Sequence, residues 1–268
     1  MTKVIMAGAA GKMGAMIIRL IKADKDMELV GALEDASSPA IGKDIGEVIG
    51  ISAIGIKTTA ELNSIINKAD VVIDFSVITA TLKTLEIAVK NNKAMVIGTT
   101  GFNDVQKKLI SEAAKSIPVV FTPNFSIGVN LLFKLVKEAT KVLKDKDFDI
   151  EIVEAHHRFK KDAPSGTALK LAQIAAQEKG LDLKKVMVTG REGSVGERSK
   201  DTIGVFSMRG GDIVGDHTVF YTTLGERIEL THKAHSRETF AKGALLAAKC
   251  LAKTKAGLYD MSDVLNIK

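Results

Sequence analysis

The sequence predicts an α/β protein: a doubly wound parallel sheet, followed by a second α+β unit with a mixed, largely antiparallel sheet. Three observations carry this. An apolar strand runs straight into a glycine-rich turn and a helix at the start of the chain. Strand and helix patterns then alternate as far as residue 121. Beyond residue 180, strands follow one another with glycine turns between them.

In order, Lys3-Val-Ile-Met-Ala reads as a short buried strand, Gly8-Ala-Ala-Gly-Lys-Met-Gly14 as a turn and Ala15 to Lys22 as a helix. Gly8 allows the tight turn, Gly11 lets backbone approach a pyrophosphate, and Gly14 lets helix and strand pack closely. The spacing is G-x-x-G-x-x-G, with Ala10 in place of the usual second glycine. A second strand, Glu28 to Leu33, ends at Glu34-Asp35. Glu34 follows Gly14 by twenty residues, where an acid can accept hydrogen bonds from the adenosine ribose. Taken alone, such an acid is an ordinary strand end. In register with strand, turn and helix, it makes a Rossmann-type dinucleotide-binding domain.

Residues 35 to 66 carry Gly42, Gly46, Gly50 and Gly55 and predict loop with one short strand at most. Ala69 to Phe75 is the next buried strand, Ser76 to Asn91 a crossover with a helix, and Ala94 to Ile97 a further strand. That strand stops at Gly98-Thr-Thr-Gly-Phe102, small and hydroxylated residues at the end where open α/β sheets bind ligands. Asp104 to Ser116 reads as helix, Val119 to Phe121 as strand, and Thr122-Pro-Asn-Phe-Ser-Ile-Gly128 as loop. A flavodoxin-like receiver would share this alternation but leaves the glycine turn unexplained. Asn130 to Lys144 is amphipathic and Phe148 to Val153 alternates as a strand. Further strands are expected at Lys185–Thr189, Ile203–Arg209, Thr218–Thr223 and Arg227–Lys233. A long helical run, Ser236 to Thr254, is expected to return to the first domain. The expected organisation is a dinucleotide domain over 1–127, completed by 237–268, and a substrate domain over 128–236.

Composition bounds the function. A chain of 268 residues with 46% apolar content is globular, and no apolar run approaches the roughly 18 residues of a membrane span. The first residues enter a strand without a signal-peptide layout. Cys250 is the one cysteine, so no intrachain disulfide exists and a reducing cytoplasm is the expected compartment. The net charge is +6, but basic residues are interleaved with acids, aromatics are 4% and Trp is absent. That favours anionic small molecules over nucleic acid as partners.

The stretch richest in chemistry is Glu154-Ala-His-His-Arg-Phe-Lys-Lys-Asp-Ala-Pro-Ser-Gly-Thr167, between a strand and a helix beginning near Ala168. It holds two histidines, three cationic side chains, and Ser165 and Thr167 near a helix N-terminus, where free N–H groups favour an anion. A proton donor beside an anion cradle suits a small, negatively charged substrate. The plainer alternative is a solvated turn with Ser165 or Thr167 as helix cap. His217, His232 and His235 have no metal-ligand spacing and read as structural, and no metal site is expected.

With these motifs the chain resembles the dihydrodipicolinate reductase family over nearly its whole length. The most specific element is Glu154 to Ala168, close to E-x-H-H-x-x-K-x-D-x-P-S-G-T-A. It is supported by the glycine turn, Gly98–Gly101, Pro123–Asn130 and Arg209-Gly-Gly-Asp-Ile-Val-Gly-Asp-His217. The resemblance implies reduction of 4-hydroxy-tetrahydrodipicolinate by a nicotinamide nucleotide, on the diaminopimelate route to lysine. It implies His156 as general acid, and Lys160 as second proton donor and substrate ligand. His157, Ser165, Gly166 and Thr167 would hold the substrate carboxylates. The matching cofactor contacts are Gly8, Ala9, Ala10, Gly11, Lys12, Met13, Glu34, Gly98, Thr99, Thr100, Thr122, Pro123, Asn124 and Phe125. A homotetramer built through the second domain's sheet is also implied. Two positions depart from the pattern. Phe159 stands where many members have a third histidine, and Asp35 where some have an arginine. Adjacent Glu34 and Asp35 would repel a 2′-phosphate, with Lys12 as a partial offset, so NADH is expected to be preferred or used alongside NADPH. Two alternatives stand beside this: a different Rossmann amino-acid or semialdehyde dehydrogenase, which would share the first domain but not the His-His-Arg-x-Lys loop, and a non-catalytic nucleotide-sensing protein that kept the fold.

Overall fold

The computed structural model describes residues 1–267, which divide into two compact units, 1–126 with 238–266, and 127–237. The first unit opens with β1 (Thr2–Ala7), α1 (Lys12–Ala23), β2 (Met27–Leu33), α2 (Ile45–Val48) and β3 (Thr58–Thr59). It continues with β4 (Val71–Asp74), α3 (Ile78–Lys90), β5 (Ala94–Ile97), α4 (Asp104–Ala113) and β6 (Pro118–Phe121). The second unit holds α5 (Ile127–Leu143), β7 (Asp149–His156), α6 (Gly166–Glu178), α7 (Leu183–Val186) and β8 (Met187–Val188). It closes with β9 (Ile203–Arg209), β10 (Gly215–Thr223) and β11 (Glu226–Ala234). The chain then returns to the first unit through α8 (Glu238–Leu251), β12 (Gly257–Tyr259) and α9 (Met261–Val264).

The first unit's seven strands run in the order β12-β6-β5-β4-β1-β2-β3, every neighbouring pair parallel. Their side chains alternate between two cores. Val4, Met6, Ile73 and Val96 pack with Ile17 and Ile18 of α1 and Ala244 and Ala248 of α8. Ile5, Ala7, Val72, Met95 and Ile97 pack with Leu85 of α3 and Ile110 of α4. Burial on both faces is why these strands read as unbroken apolar runs. Helix α4 starts where Asn103 and Gln106 cap one another: Gln106 N donates to Asn103 Oδ1 (2.9 Å) and Asn103 N to Gln106 Oε1 (2.9 Å). The sheet reverses direction of growth at β1, whose neighbours are β2 and β4. Such a switch point opens a crevice at the strands' carboxyl ends.

The second unit's sheet runs β11-β10-β7-β9-β8. Pairing is antiparallel along both sides of β10 and parallel from β7 through β9 to β8. One face packs Ile150, Ile152, Val205 and Val219 against Leu132 and Val136 of α5 and Leu171, Ala172 and Ala175 of α6. Tyr221 is fully buried there, its hydroxyl 2.7 Å from Thr140 Oγ1 and donating to Val136 O (3.0 Å).

Some expected elements change. The Lys185–Thr189 strand shrinks to Met187–Val188, because Asp182 caps a short helix that takes Lys185 and Val186. The glycine-rich segment after residue 35 holds α2 as well as β3, its loop gathered by the Asp44 carboxylate, which accepts from Gly46, Ile54 and Gly55 N–H groups. β12 and α9 have no counterpart in the sequence reading, and the long final helix spans Glu238–Leu251.

Candidate active site

At the switch point Gly8 takes φ 76°, and Gly8 and Ala9 N–H groups donate to Leu33 O at 3.0 and 3.2 Å. The turn therefore hangs on the end of β2. Ala10 N–H donates to Glu34 Oε1 (2.6 Å), so the predicted ribose acid also fastens the glycine turn. A Cβ on Gly14 would lie 2.1 Å from Gly8 O and 2.8 Å from Ala9 O, which excludes any side chain. Gly11 caps α1 without any side-chain bond, and the first turn of α1 has no acid, so its N–H groups stay open to an anion.

Gly11, Lys12 and Met13 line a cleft of about 690 Å³ with Gly98, Thr99 and Thr100. Phe75, Ser76, Val77, Ile78 and Thr79 complete its wall, a segment the sequence reading did not single out. The signal was present, since Phe75 and Ser76 follow the carboxyl end of β4 just as Gly98 follows β5. A Cβ on Gly98 would meet the Phe75 ring at 2.3 Å. Beneath the cleft the fully buried Asp74 accepts from Ser76 N (2.9 Å), Ser76 Oγ (2.6 Å) and Thr81 Oγ1 (3.1 Å), all on Oδ1. Burial pushes its carboxyl above the ordinary range, and hydroxyls of Ser76, Thr81 and Thr99 oppose that. Thr122, Pro123, Asn124 and Phe125 do not line the cleft. Phe125 packs behind it on Phe75 (centroids 5.6 Å apart), and Thr122 Oγ1 donates to Asn124 O (3.2 Å).

In the second unit the strand end of β7, the start of α6 and the ends of β9 and β10 converge on Glu154. Its carboxylate is completely buried. Arg209 grips both oxygens, at 2.8 Å (Oε2) and 2.9 Å (Oε1), from the residue registered beside His156 on the parallel neighbour β9. Ser165 N–H donates to Oε1 (3.0 Å) and His156 Nδ1 lies 2.5 Å from Oε2. Burial alone would raise the Glu154 carboxyl, but hydrogen bonds from Arg209, His156 and Ser207 outweigh it and hold it down at about 2. Glu154 is therefore an anion at every ordinary pH, and its partner nitrogen on His156 is a donor. That leaves Nε2 as the nitrogen able to present a proton to a ligand. The ring fits because residue 215 is glycine: a Cβ there would stand 3.0 Å from Nε2.

Burial lowers the His156 imidazole, Glu154 pulls it upward, and the charges of Lys160 and Arg209 push it down again, with a net fall below the usual histidine value. Lys160 Nζ donates to both Asp162 oxygens at 2.9 Å. Ser165 caps α6, accepting from Ala168 N (3.2 Å), and Gly166 and Thr167 form its first turn. His157 lies beside the exposed Phe159 ring (centroids 6.2 Å apart). His217, expected to be structural, sits 3.1 Å from Ser165 Oγ and edge-on to His156 at 5.2 Å. Burial, reinforced by His156, drives its pKa to about 3, so it is a neutral wall of this site. Glu154 and Arg209 are residues of this arrangement that the sequence motifs contained but to which residue-by-residue reading gave no role. Among the described residues no cluster of His, Cys, Asp and Glu is arranged to hold a metal ion, and no helix is long and apolar enough to cross a membrane.

A dinucleotide cradle at a parallel-sheet switch point, carried on the same chain as an acid–base loop, defines an NAD(P)H-dependent oxidoreductase. The family model described as dihydrodipicolinate reductase, N-terminus, matches residues 2–125, and its C-terminus counterpart matches residues 128–265. The chain belongs to the dihydrodipicolinate reductase family, as its motifs led one to expect. It is 52% identical over 266 residues to the 4-hydroxy-tetrahydrodipicolinate reductase of Colwellia psychrerythraea, covering 99% of this chain and 98% of that one. It is 47% identical over 268 residues to that of Geotalea uraniireducens, covering both chains completely. Among solved structures it is similar to dipicolinate-bound dihydrodipicolinate reductase from Paenisporosarcina sp. TG-14, with TM-score 0.77, 26% identity and 97% of each chain covered. A probable dehydrogenase from Thermotoga maritima shares the fold, with TM-score 0.60, 14% identity and 100% and 93% coverage.

Proposed function

We infer that the chain reduces 4-hydroxy-tetrahydrodipicolinate to tetrahydrodipicolinate with NAD(P)H, on the diaminopimelate route to lysine. The observation that carries the reading is the His156–Glu154–Arg209 arrangement beside the start of α6. A bound nicotinamide nucleotide supplies the hydride. His156 supplies the proton from Nε2 while Glu154 holds the ring, and Lys160 acts as second donor and substrate ligand. Ser165, Gly166 and Thr167, with His157, hold the substrate carboxylates, for which the positive end of a helix is suited. The dipicolinate in the Paenisporosarcina relative is likewise a dicarboxylate.

The nucleotide fits the residues present: a side chain on Gly14 would collide with the turn, and the capless start of α1 offers N–H groups to a pyrophosphate. Gly8 to Met13 and Gly98 to Thr100 would hold the phosphates and nicotinamide side, Glu34 the ribose, and Thr122 to Phe125 would support the rim. NADH is preferred or shared with NADPH. Hydrogen bonds from Ser37 hold the Asp35 carboxyl below its usual value, so it adds a second negative charge beside Glu34. The working assembly is a cytoplasmic homotetramer.

The test is nucleotide oxidation, followed by absorbance, with substrate generated in situ by the preceding synthase. His156→Gln and Lys160→Ala should each lose turnover by about 10²–10⁴-fold while nucleotide affinity persists. Turnover by His156→Gln at the parent rate would refute the assignment, and a clear preference for NADPH would overturn the cofactor reading.

A further inference from the structure

We propose that Glu154 and Arg209 act as a matched pair of positioning residues: Glu154 orients the His156 ring and strengthens its hold on a proton, while Arg209 limits that hold by cancelling the carboxylate's charge. The proposal rests on His156 being the proton donor. A donor in this site has two opposite failures to avoid. A buried imidazole without an anion beside it stays neutral and has no proton to give. An imidazole against a bare buried carboxylate becomes a tightly held imidazolium and gives its proton up poorly.

The geometry places the chain between these extremes. Glu154 Oε2 takes His156 Nδ1 at 2.5 Å and Arg209 at 2.8 Å, and Oε1 takes Arg209 at 2.9 Å and Ser165 N at 3.0 Å. Each oxygen has two of these donors and Ser207 adds a further hydrogen bond, which fills the roughly four lone-pair sites of a carboxylate. Glu154 thus has no lone pair to spare for a proton during turnover and acts through position and charge alone. Arg209 is itself fixed by donating to Asp162 O (2.7 Å) and Met208 O (2.7 Å), so its guanidinium cannot swing away. The charged and titratable groups facing His156 come from every side. They are Glu154 on β7, Lys160 with its partner Asp162 on the following loop, Arg209 at the end of β9, and His217 on β10. Lys160 is paired with Asp162 and His217 is neutral, so Glu154 and Arg209 are the two opposed charges bonded to one another beside the ring. Through Oε1 the same carboxylate fixes Ser165, the cap of α6, and so ties the proton donor to the anion-binding helix start.

The experiment is a titration of the His156 ring by NMR in parent, Arg209→Gln, Glu154→Gln, Arg209→Lys and the Glu154→Gln/Arg209→Gln double variant, alongside kcat against pH. Removing Arg209 leaves the carboxylate uncompensated, so the His156 midpoint moves to higher pH. Removing Glu154 moves it to lower pH. Arg209→Lys stays near the parent, and the double variant falls between Glu154→Gln and the parent. Midpoints that move in the same direction in both single variants, or in neither, overturn the proposal. Should a single variant fail to fold, Arg209→Lys and the double variant decide: an Arg209→Lys midpoint far from the parent, or a double-variant midpoint at or above the parent's, overturns it. A donor's rate falls as pH rises through its midpoint, so the falling limb of kcat should follow the NMR shifts. NMR shifts as stated with an unmoved kcat limb would uphold the charge pairing and remove His156 from the donor role. Unmoved NMR midpoints with turnover still abolished in His156→Gln would do the reverse.

Discussion

Acid should withdraw about 3 kcal/mol of stability from the second unit through one carboxyl. Glu154 has an ordinary value of 4.5 and is held at about 2 in the fold, a gap equivalent to about 3 kcal/mol. The sign follows from the direction. A depressed carboxyl stabilises the fold above its unfolded value, and that contribution disappears as pH falls from 4.5 towards 2. Glu154→Gln cannot titrate, and it leaves the Arg209 guanidinium partly buried and unpaired. Near neutral pH the variant should therefore be less stable by roughly 3–5 kcal/mol. As pH is lowered, the gap between parent and variant should close by about 3 kcal/mol. The chain has two tyrosines and no tryptophan, and of the tyrosines only Tyr221 lies in the second unit. In a Tyr259→Phe background, urea unfolding followed by Tyr221 fluorescence reads that unit alone. A parent–variant gap that stays constant from neutral pH to pH ~2 would refute the reasoning.

Two other substitutions test the scaffold. Gly14→Ala forces a Cβ to 2.1 Å from Gly8 O, so α1 must slide off its turn. Nucleotide affinity should fall at least about tenfold and stability by about 1–3 kcal/mol, read by fluorescence titration and urea unfolding; unchanged affinity would sink the cradle assignment. Tyr221→Phe removes bonds to Thr140 and Val136 O in the second unit's core and should cost about 1–2 kcal/mol, with nucleotide affinity untouched.

The parallel sheet was legible because its strands are apolar on both faces, and the glycine turn because sterics leave no alternative at Gly8 and Gly14. Short elements were not. β12 is three residues long and has no alternation to read, and β8 competes with a capped helix that takes Lys185 and Val186 from its expected span. In the candidate site, the residues between Glu154 and Thr167 were visible because strand end, loop and helix cap are contiguous. The pairing of Arg209 with Glu154 was not, since the two lie 55 residues apart and meet by parallel pairing of β7 with β9, a register no local pattern encodes. His217 was read as structural from its strand context. Its buried ring is indeed part of a wall, but that wall touches Ser165 Oγ. Phe75 to Thr79 went unnoticed because they were read as strand end and crossover, although they follow the carboxyl end of β4 as Gly98 follows β5.

The first unit is written in two separated pieces, and this orders events during synthesis. When residues 1–126 have left the ribosome, β6 is still a bare sheet edge. The surface formed by Ile17, Ile18 and Val96 lacks the alanines of α8 that later cover it. More than a hundred further residues must be translated before α8, β12 and the Lys249–Asp24 ion pair (2.6 Å) close that face. The inserted unit is contiguous in sequence, so all of its strands are made before α8. An open apolar face beside an unpaired strand invites nascent-chain chaperones and neighbouring chains alike. Slow translation across residues 127–237 would lengthen that exposure, and a stall there would leave the nucleotide half unfinished although its glycine turn had long been made.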